Sequence, residues 1–302
     1  MAAADETPEH ASIAAGAGVG AVHVGVTDGD RALAFYRDAV GLTHLGAEDG
    51  AIRLGVDGKD LVVLHPGAER AVPAHTTGLY HLALVLPSRK ELARVIARLI
   101  QLRVPNSPTD HTMTKSDYLW DFDGNGIEIY CESPEDGTWT FKDGEFGAVD
   151  NAGNMRSGRD PIDLTELMTH LQPGERLDQP LPSGTHMGHV HLHIRNVEEA
   201  VHFYSDLVGF DVQGNAPKWG VAFVSAGGYH HHLGLNTWAG QGAPPAPREA
   251  SGLRHYTIEV PTDADLSSVV DRLRSEGAGL SEASDGWFVS DPSSNRVHLK
   301  IR

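Results

Sequence analysis

The chain repeats one short phrase, and this internal repeat limits the folds that it can adopt. The later copy is Gly188-His189-Val190-His191-Leu192-His193-Ile194, and the earlier copy is Ala21-Val22-His23-Val24-Gly25-Val26. An amphipathic segment follows each copy, at 198–210 and 31–42, and each segment contains a Phe-Tyr pair and ends in Val-Gly and an apolar residue. A phrase repeated in this way predicts a fold built from copies of one supersecondary unit.

Hydrophobic periodicity extends the repeat to four modules, at about 20–65, 79–131, 187–238 and 253–302. Each module is predicted to be a strand, a helix and three more strands. The helix of module two has apolar residues at helical spacing, at Leu92, Val95, Ile96 and Leu99. Asparagine-containing turns precede the last strands of modules two and four, at 122–126 and 291–295. The predicted fold class is therefore α+β, with four βαβββ modules that form two half-barrel domains.

The modules divide the chain into predicted regions. These are a disordered tail at 1–19, a first module pair at 20–132, a linker with a short helix (163–171) at 133–187, and a second module pair at 188–302. The tail lacks the basic start and long apolar core of a signal peptide. A linker of this length can cross between the halves of the molecule.

Composition excludes several classes of function. The 302 residues carry a formal net charge of −17, which argues against a general binder of nucleic acid or anionic membranes. Apolar runs fall short of the roughly 20 residues of a transmembrane helix. The single cysteine, Cys131, excludes an intramolecular disulfide and suits a reducing compartment, so we expect a cytoplasmic protein.

Side chains that could do chemistry lie where each module should face a cleft. Module two offers His81, His111, Tyr118 and Glu128; module three offers His189 and, at the start of its last strand, His231; module four offers His255 and His298. Module one has Ala21 in the position of His189. Two imidazoles and one carboxylate that leave open positions on a metal suit non-haem Fe(II) enzymes that activate dioxygen. Zinc sites more often use cysteine or three histidines.

These residues resemble a known family, the two-domain extradiol ring-cleaving dioxygenases of the catechol 2,3-dioxygenase type in the vicinal oxygen chelate superfamily. The resemblance covers about 20–302. The family signature of His, Tyr, an acidic residue, a glycine turn and the glutamate ligand corresponds to His111, then 118–128 from Tyr118 to Glu128. Phe122 replaces the expected proline, and the spacing from His111 to Tyr118 is slightly short. A second family feature is a strand that starts with Gly-His and is followed by a helix with Phe-Tyr, and Gly188-His189 with Phe203-Tyr204 matches it. A third is the acid and base histidine three residues before a small residue, and His231 before Gly234 matches it.

The resemblance implies a non-haem Fe(II) enzyme, with Mn(II) as an alternative metal, that cleaves a catechol with dioxygen to a semialdehyde. The implied metal ligands are His81, Glu128 and His189. His231 is the implied acid and base, and His111 with Tyr118 would hydrogen-bond the substrate oxygen. The commonest family arrangement places the metal in the second half of the chain, but module four has His298 where glutamate should be. We therefore predict that modules two and three pair to form the site, and that modules one and four form the other half.

Several alternatives remain open at this stage. His191 or His193 could replace His189, and His230 or His232 could replace His231. His255 and His298 could form a second metal site with His189. Other functions are a hydroquinone ring cleaver, a glyoxalase-like metal-dependent isomerase or lyase, and a metal-free binding or resistance protein. The expected partners are a catecholic small molecule and dioxygen, and the family resemblance implies a homo-oligomer.

Overall fold

The computed structural model describes residues 12–302, and all four modules are present in it. Residues 1–11 of the predicted tail lie outside the described residues. The prediction of a tail that reaches 19 is wrong at its end, because Ile13 is buried and the first strand begins at Gly18. The apolar residues Ile13 and Val19 join the core, and this burial orders the segment.

Module one contains four strands and one helix. Strands β1–β4 are Gly18–Val26, Thr43–Glu48, Ala51–Val56 and Lys59–Pro66. Helix α1, Gly29–Ala34, continues in a π-helical segment, Phe35–Val40. Gly41 ends this segment with a φ of 98°. This left-handed conformation favours glycine and explains the Val-Gly at the end of the amphipathic segment. The periodicity predicted the helix but not its π-helical half or β2.

Module two has the predicted helix and one strand more than predicted in its second half. Strands β5–β8 are Gly78–Leu86, Ser107–Asp110, Thr114–Trp120 and Gly126–Glu132. Helix α2 is Arg89–Leu102, with the bounds that its apolar spacing predicts. Its N-cap Ser88 accepts a hydrogen bond from the backbone N–H of Glu91, and its apolar side packs against β5, β7 and β8.

The segment predicted as a linker contains more structure than a short helix. It holds strands β9–β12, Gly137–Lys142, Glu145–Asp150, Met155–Arg156 and Asp160–Pro161, followed by helix α3, Leu164–Met168. Strands β9–β11 form a small antiparallel sheet, and β12 joins the edge strand β6 of module two. Aromatic residues of this small sheet, Trp139, Phe141 and Phe146, pack beside Phe223. The segment therefore covers part of module three.

Modules three and four repeat the same plan. Strands β13–β16 are His186–His193, Asp211–Ala216, Val221–Ser225 and Leu233–Asn236. Helix α4, Val197–Val201, continues in a π-helical segment, His202–Val208, and a 3₁₀ turn covers Pro217–Trp219. Module four consists of β17 (Gly252–Val260), helix α5 (Asp263–Ser275), β18 (Ser281–Ala283), β19 (Gly286–Ser290) and β20 (Arg296–Ile301).

Two large sheets combine the modules in the predicted exchanged order. The nine-stranded sheet joins modules two and three through antiparallel pairing of β5 with β13. The eight-stranded sheet joins modules one and four through β1 and β17. Side chains alternate along β13, so Val190 and Leu192 enter the common core while His189 and His191 line a cavity on the opposite face. None of the helices in the described part of the chain is long and apolar enough to cross a membrane.

Tyrosines of the repeated Phe-Tyr pair connect the two sheets. The hydroxyl of Tyr36 donates to Asp121, and that of Tyr204 donates to Asp291. Each aspartate also holds an asparagine turn, by accepting from the backbone and side-chain amides of Asn125 or Asn295. The two predicted turns therefore occupy equivalent places, and the Phe-Tyr pair of the repeat ties each turn to the neighbouring sheet.

Candidate metal centre

His81, Glu128 and His189 meet on the cavity face of the nine-stranded sheet. Glu128 Oε2 lies 3.1 Å from Nε2 of His81 and 3.1 Å from Nε2 of His189, and the two Nε2 atoms are 3.2 Å apart. All three residues are buried, and they form one of two groups of potential metal ligands among residues 12–302. The exchanged pairing of modules brings these residues together, since β5 and β8 come from module two and β13 comes from module three.

Strand register explains how these side chains can meet. Glu128 on β8 and His189 on β13 are both register partners of Ala83 on β5, which lies between the two strands. Ala83 is fully buried, and its methyl group leaves room for the longer side chains on both sides. His81 precedes Ala83 by two residues and therefore lies on the same face of the sheet.

The donor set fits a divalent metal. Two ligands at right angles on an octahedral ion, each about 2.1 Å from it, are about 3.0 Å apart, close to the separations found here. Without a cation, a carboxylate oxygen and two imidazole nitrogens at such distances compete for the same protons. Burial alone would raise the pKa of Glu128, but the charge and hydrogen bonds of His189 and His81 together hold that pKa well below its usual range. The carboxylate is thus ionised, as a ligand must be.

A chain of hydroxyl groups sets the proton position on His189. The hydroxyl of Tyr229 donates to Glu132 at 2.6 Å, the hydroxyls of Tyr130 and Tyr229 are 2.5 Å apart, and Tyr130 Oη lies 3.3 Å from Nδ1 of His189. Because Glu132 only accepts, Tyr229 donates to it, Tyr130 donates to Tyr229, and Nδ1–H of His189 donates to Tyr130. Nε2 of His189 is then the nitrogen that faces Glu128 and His81, and a metal bound there would replace the proton that Nε2 shares with Glu128.

Sequence reasoning missed this chain, although one glycine pointed to it. Tyr130 and Tyr229 come from different modules, and no spacing in the sequence relates them. Gly188 precedes His189 in the repeated phrase, and a Cβ atom at Gly188 would lie 2.1 Å from the Tyr130 hydroxyl. The glycine is therefore needed for the close approach of Tyr130.

His111 and Tyr118 form a second hydrogen-bonded pair in the same cavity. Nδ1–H of His111 donates to the carbonyl of Gly158 at 2.6 Å, so Nε2 accepts from the Tyr118 hydroxyl at 2.8 Å. Burial lowers the pKa of His111 and raises that of Tyr118, which keeps both groups neutral near pH 7. Tyr118 is the register partner of Glu128, so the pair lies beside the proposed metal ligands.

His231 lines the cavity but does not begin the last strand of module three as predicted. Strand β16 starts at Leu233, and His231 lies in the preceding loop, which covers 226–232. Its ring lies 4.1 Å from the His189 ring and stacks on Trp139 at 5.3 Å. His231 is buried, its Nδ1 has no hydrogen-bond partner within the described residues, and burial holds its pKa well below the usual value.

The alternative histidines occupy different places. His191 and His230 also line the cavity, whereas His193 lies outside it, and His232 accepts a hydrogen bond from the backbone N–H of Ala226. His230 belongs to the second group of potential ligands, with His189 and His231. His231 and His230 are therefore both candidates for the acid and base, and His232 is not.

The alternative of a second metal site formed by His255 and His298 with His189 is excluded by the positions of these residues. His255 and His298 lie on the eight-stranded sheet, in a separate cavity with His23, because β17 pairs with β1 and not with β13. The His255 ring stacks on that of His23 at 3.8 Å, and His298 stacks on Phe288 at 4.4 Å. Among residues 12–302 these histidines form no potential ligand group.

A cavity of about 300 Å³ opens beside the candidate ligands. Aromatic residues that sequence reasoning did not select form much of its wall, namely Tyr80, Trp139, Phe223 and Trp238. Arg159, from the segment predicted as a linker, is the one lysine or arginine in this wall among the described residues. The cavity can therefore hold a small aromatic molecule between rings, with a carboxylate and imidazoles at its base.

Comparison with known families identifies the superfamily of the chain. A model of the Glyoxalase/Bleomycin resistance protein/Dioxygenase superfamily matches residues 18–129 and 186–299. The chain belongs to this superfamily. The match covers both halves of the repeat, and it confirms the predicted fold class and family resemblance.

One relative in sequence and two solved structures are similar to the chain. The chain is 39% identical over 268 residues to a catechol-2,3-dioxygenase of Bacillus subtilis. The aligned region covers 88% of this chain and 90% of the relative. This relative confirms the prediction of a dioxygenase within the superfamily. Two solved structures share the fold: a putative dioxygenase from Bacillus subtilis (TM-score 0.66, 15% identity, 96% of this chain and 86% of that one) and glyoxalase I from Zea mays (TM-score 0.56, 13% identity, 94% and 92%).

Proposed function

We propose that this member of the superfamily is an Fe(II)-dependent extradiol dioxygenase that cleaves the ring of a catechol with dioxygen to a semialdehyde. The observation that carries the proposal is the buried cluster of His81, Glu128 and His189 beside an aromatic-walled cavity. The dioxygenase name of the 39% identical relative supports the reaction class. Two imidazoles and one carboxylate are typical of such iron sites, and Mn(II) is the alternative metal.

The side chains at the base of the cavity would hold the metal and leave part of its coordination sphere open. A bound Fe(II) ion supplies binding positions for the two substrate oxygens and for dioxygen, and lowers the pKa of a bound hydroxyl group. Glu128 contributes the negative charge of the site. Tyr130 keeps the His189 ring in the tautomer and orientation that binding needs.

The remaining cavity residues would orient the ring and move protons. Tyr118 donates its proton to His111, so its oxygen is free to accept a hydrogen bond from a substrate hydroxyl. Since Gly158 holds Nδ1 of His111, the acceptor nitrogen always faces Tyr118. Neutral His231, packed against His189, can accept a proton from the other hydroxyl and return it to the product. Trp139 and Phe223 wall the cavity around His231 and limit the entry of water.

Two measurements test the proposal. Protein reconstituted with Fe(II) without oxygen is mixed with aerated buffer and a panel of catechols and hydroquinones, and ring fission is followed by the absorbance of the yellow product. Absence of ring fission with every diol contradicts the proposed reaction. If only hydroquinones are cleaved, the substrate is a hydroquinone and not a catechol. Metal content of Glu128→Ala is compared with that of Glu135→Ala, an exposed control that pairs with Arg89. If Glu128→Ala retains metal, the proposed ligand set is wrong and a metal-free binding protein is favoured.

A further inference from the structure

Arg159 places a lone positive charge in the wall of the candidate active-site cavity. The described lining contains Glu128 at the base of the cavity and, apart from Arg159, no lysine or arginine. The Arg159 guanidinium forms no ion pair with any described residue, whereas Arg156, three positions earlier, pairs with Asp160 at 3.1 Å. A guanidinium has five N–H donors in a rigid fork that matches the paired oxygens of a carboxylate or a phosphate, and the carboxylate is the commoner of the two as a substituent of small aromatic molecules.

The backbone on both sides of Arg159 is held in place. Gly158 is buried and its carbonyl accepts the 2.6 Å hydrogen bond of His111. The backbone of Asp160 is held by strand pairing, because Asp160 is the register partner of Asp110 where β12 joins β6. Gly158 has a φ of 68°, and a Cβ atom there would lie 3.0 Å from the Phe146 ring. Arg159 is thus fixed one residue from the group that orients the His111–Tyr118 pair.

Two tryptophans support the guanidinium at the mouth of the cavity. The Arg159 carbon Cζ lies 5.1 Å from the centre of the Trp219 ring and 5.6 Å from that of Trp238. Both tryptophans are about two-fifths exposed, at 43% and 40%. Cation–π contacts at exposed sites are weak, about 0.5–1 kcal/mol. They orient the guanidinium while leaving its N–H groups available to a ligand.

We propose that Arg159 selects catechols that carry a carboxylate substituent. The inference rests on the proposed function, since the metal-binding end of the cavity is assigned there to the two catechol oxygens. With those oxygens at the base, a substituent on the far side of the ring points toward the mouth, where Arg159 lies. The chain has a net charge of −17, so its overall field repels anions and a preference for a carboxylate requires a local cation.

The test compares substrates that differ in charge and little in shape. The ligands are 3,4-dihydroxybenzoate and 3-(3,4-dihydroxyphenyl)propanoate, each with its primary amide. Binding to the Fe(II)-loaded protein is measured without oxygen, by quenching of tryptophan fluorescence, and kcat/KM is measured separately with oxygen. We expect at least one carboxylate to bind about tenfold more tightly than its amide, as a charge-assisted pair provides. Arg159→Gln should reduce this ratio to near one.

Arg156→Gln is the matched control, because it removes the same charge from the same segment without touching the cavity. It should retain the wild-type ratio. Equal binding of each carboxylate and its amide by the wild type, or an unchanged ratio in Arg159→Gln, would overturn the inference. Because the titration needs no turnover, its result stands apart from the ring-cleavage assay. Lack of ring fission with every diol would contradict the proposed function while the ratio still decides the role of Arg159.

Discussion

The Tyr130 hydroxyl lies 3.3 Å from Nδ1 of His189 and connects this histidine to Tyr229 and Glu132 through two further hydrogen bonds. The chain of donors ends at a carboxylate, so Nδ1 of His189 keeps its proton and Nε2 is the nitrogen left to bind a metal. Groups that orient a ligand in this way typically change metal affinity by about 10–100-fold when they are removed.

Tyr229→Phe should therefore weaken metal binding by about 10–100-fold, because Tyr130 loses its acceptor and can turn its proton toward His189. Affinity is measured by titration of the metal-free protein with Fe(II) or Mn(II) without oxygen. Tyr204→Phe is the control, since it removes another buried hydroxyl, one that bonds Asp291. It should lower thermal stability and leave metal affinity unchanged. Equal metal affinities for Tyr229→Phe and the wild type would refute the role of the chain.

His231 and His230 should differ when each is replaced by asparagine. His231 lies in contact with His189 and has an unpartnered Nδ1 among the described residues, whereas His230 Nδ1 is 3.7 Å from Glu132. His231→Asn should lower kcat by about 10²–10⁴-fold, the usual contribution of a general acid or base. His230→Asn should lower it much less. The reverse order would assign the acid and base to His230. Metal content, measured in parallel, shows whether either change acts through metal loss.

Tyr118→Phe should lower kcat/KM by roughly 10–100-fold while the protein retains its metal. The phenyl ring keeps the packing and removes the oxygen proposed to accept from the substrate, which leaves that hydroxyl unpaired in a buried site. Single-turnover kinetics and metal analysis on the same sample separate this loss from loss of the ion. Tyr36→Phe removes a buried hydroxyl that bonds Asp121, away from the cavity, and provides the comparison. Unchanged kinetics in Tyr118→Phe would exclude the proposed substrate contact.

Asp117 should make the protein less stable as pH rises. Burial raises the pKa of Asp117 to about 7, and the backbone amides of Ser107 and Tyr118 oppose this shift only in part. The folded state therefore holds a proton that the unfolded state has lost, between about pH 4 and pH 7. The contribution of Asp117 to the free energy of unfolding is greatest below about pH 4, falls as the pH rises to about 7, and does not change above that pH.

Asp117→Asn should remove this dependence and raise stability at pH 8 by an amount on the order of 4 kcal/mol at most. Urea unfolding at pH 5 and pH 8 measures the difference between the two proteins, with the exposed Asp30→Asn as control. An equal pH dependence in the wild type and in Asp117→Asn would show that Asp117 is ionised without cost in the folded protein.

Local sequence determined the modules because their signals lie within a few residues. The spacing of Leu92, Val95, Ile96 and Leu99 predicted helix α2 with its observed bounds, and the asparagine turns were found from turn chemistry alone. The same spacing could not reveal the π-helical segments after α1 and α4. Those segments have the apolar periodicity of ordinary helices, and their extra residue per turn depends on packing.

Comparison of the modules with one another went further than local pattern. Module two has glutamate at 128 where module four has histidine at 298, and module three has histidine at 189 where module one has alanine at 21. This asymmetry predicted that modules two and three form the site, and the pairing of β5 with β13 confirms the predicted pairing of modules. Whether His81, Glu128 and His189 bind a metal stays a prediction.

Only the tertiary structure decided which other residues surround these three. Trp139 and Arg159 come from a segment that looks like a linker. Trp139 reaches the cavity because the small sheet packs beside module three, and Arg159 reaches it because β12 joins β6. Tyr130 and Tyr229 meet because the exchanged sheet places β8 near the loop before β16. Such contacts join residues far apart in the chain through packing of whole elements. Periodicity and motif spacing carry no information about them, since both describe only neighbours in sequence.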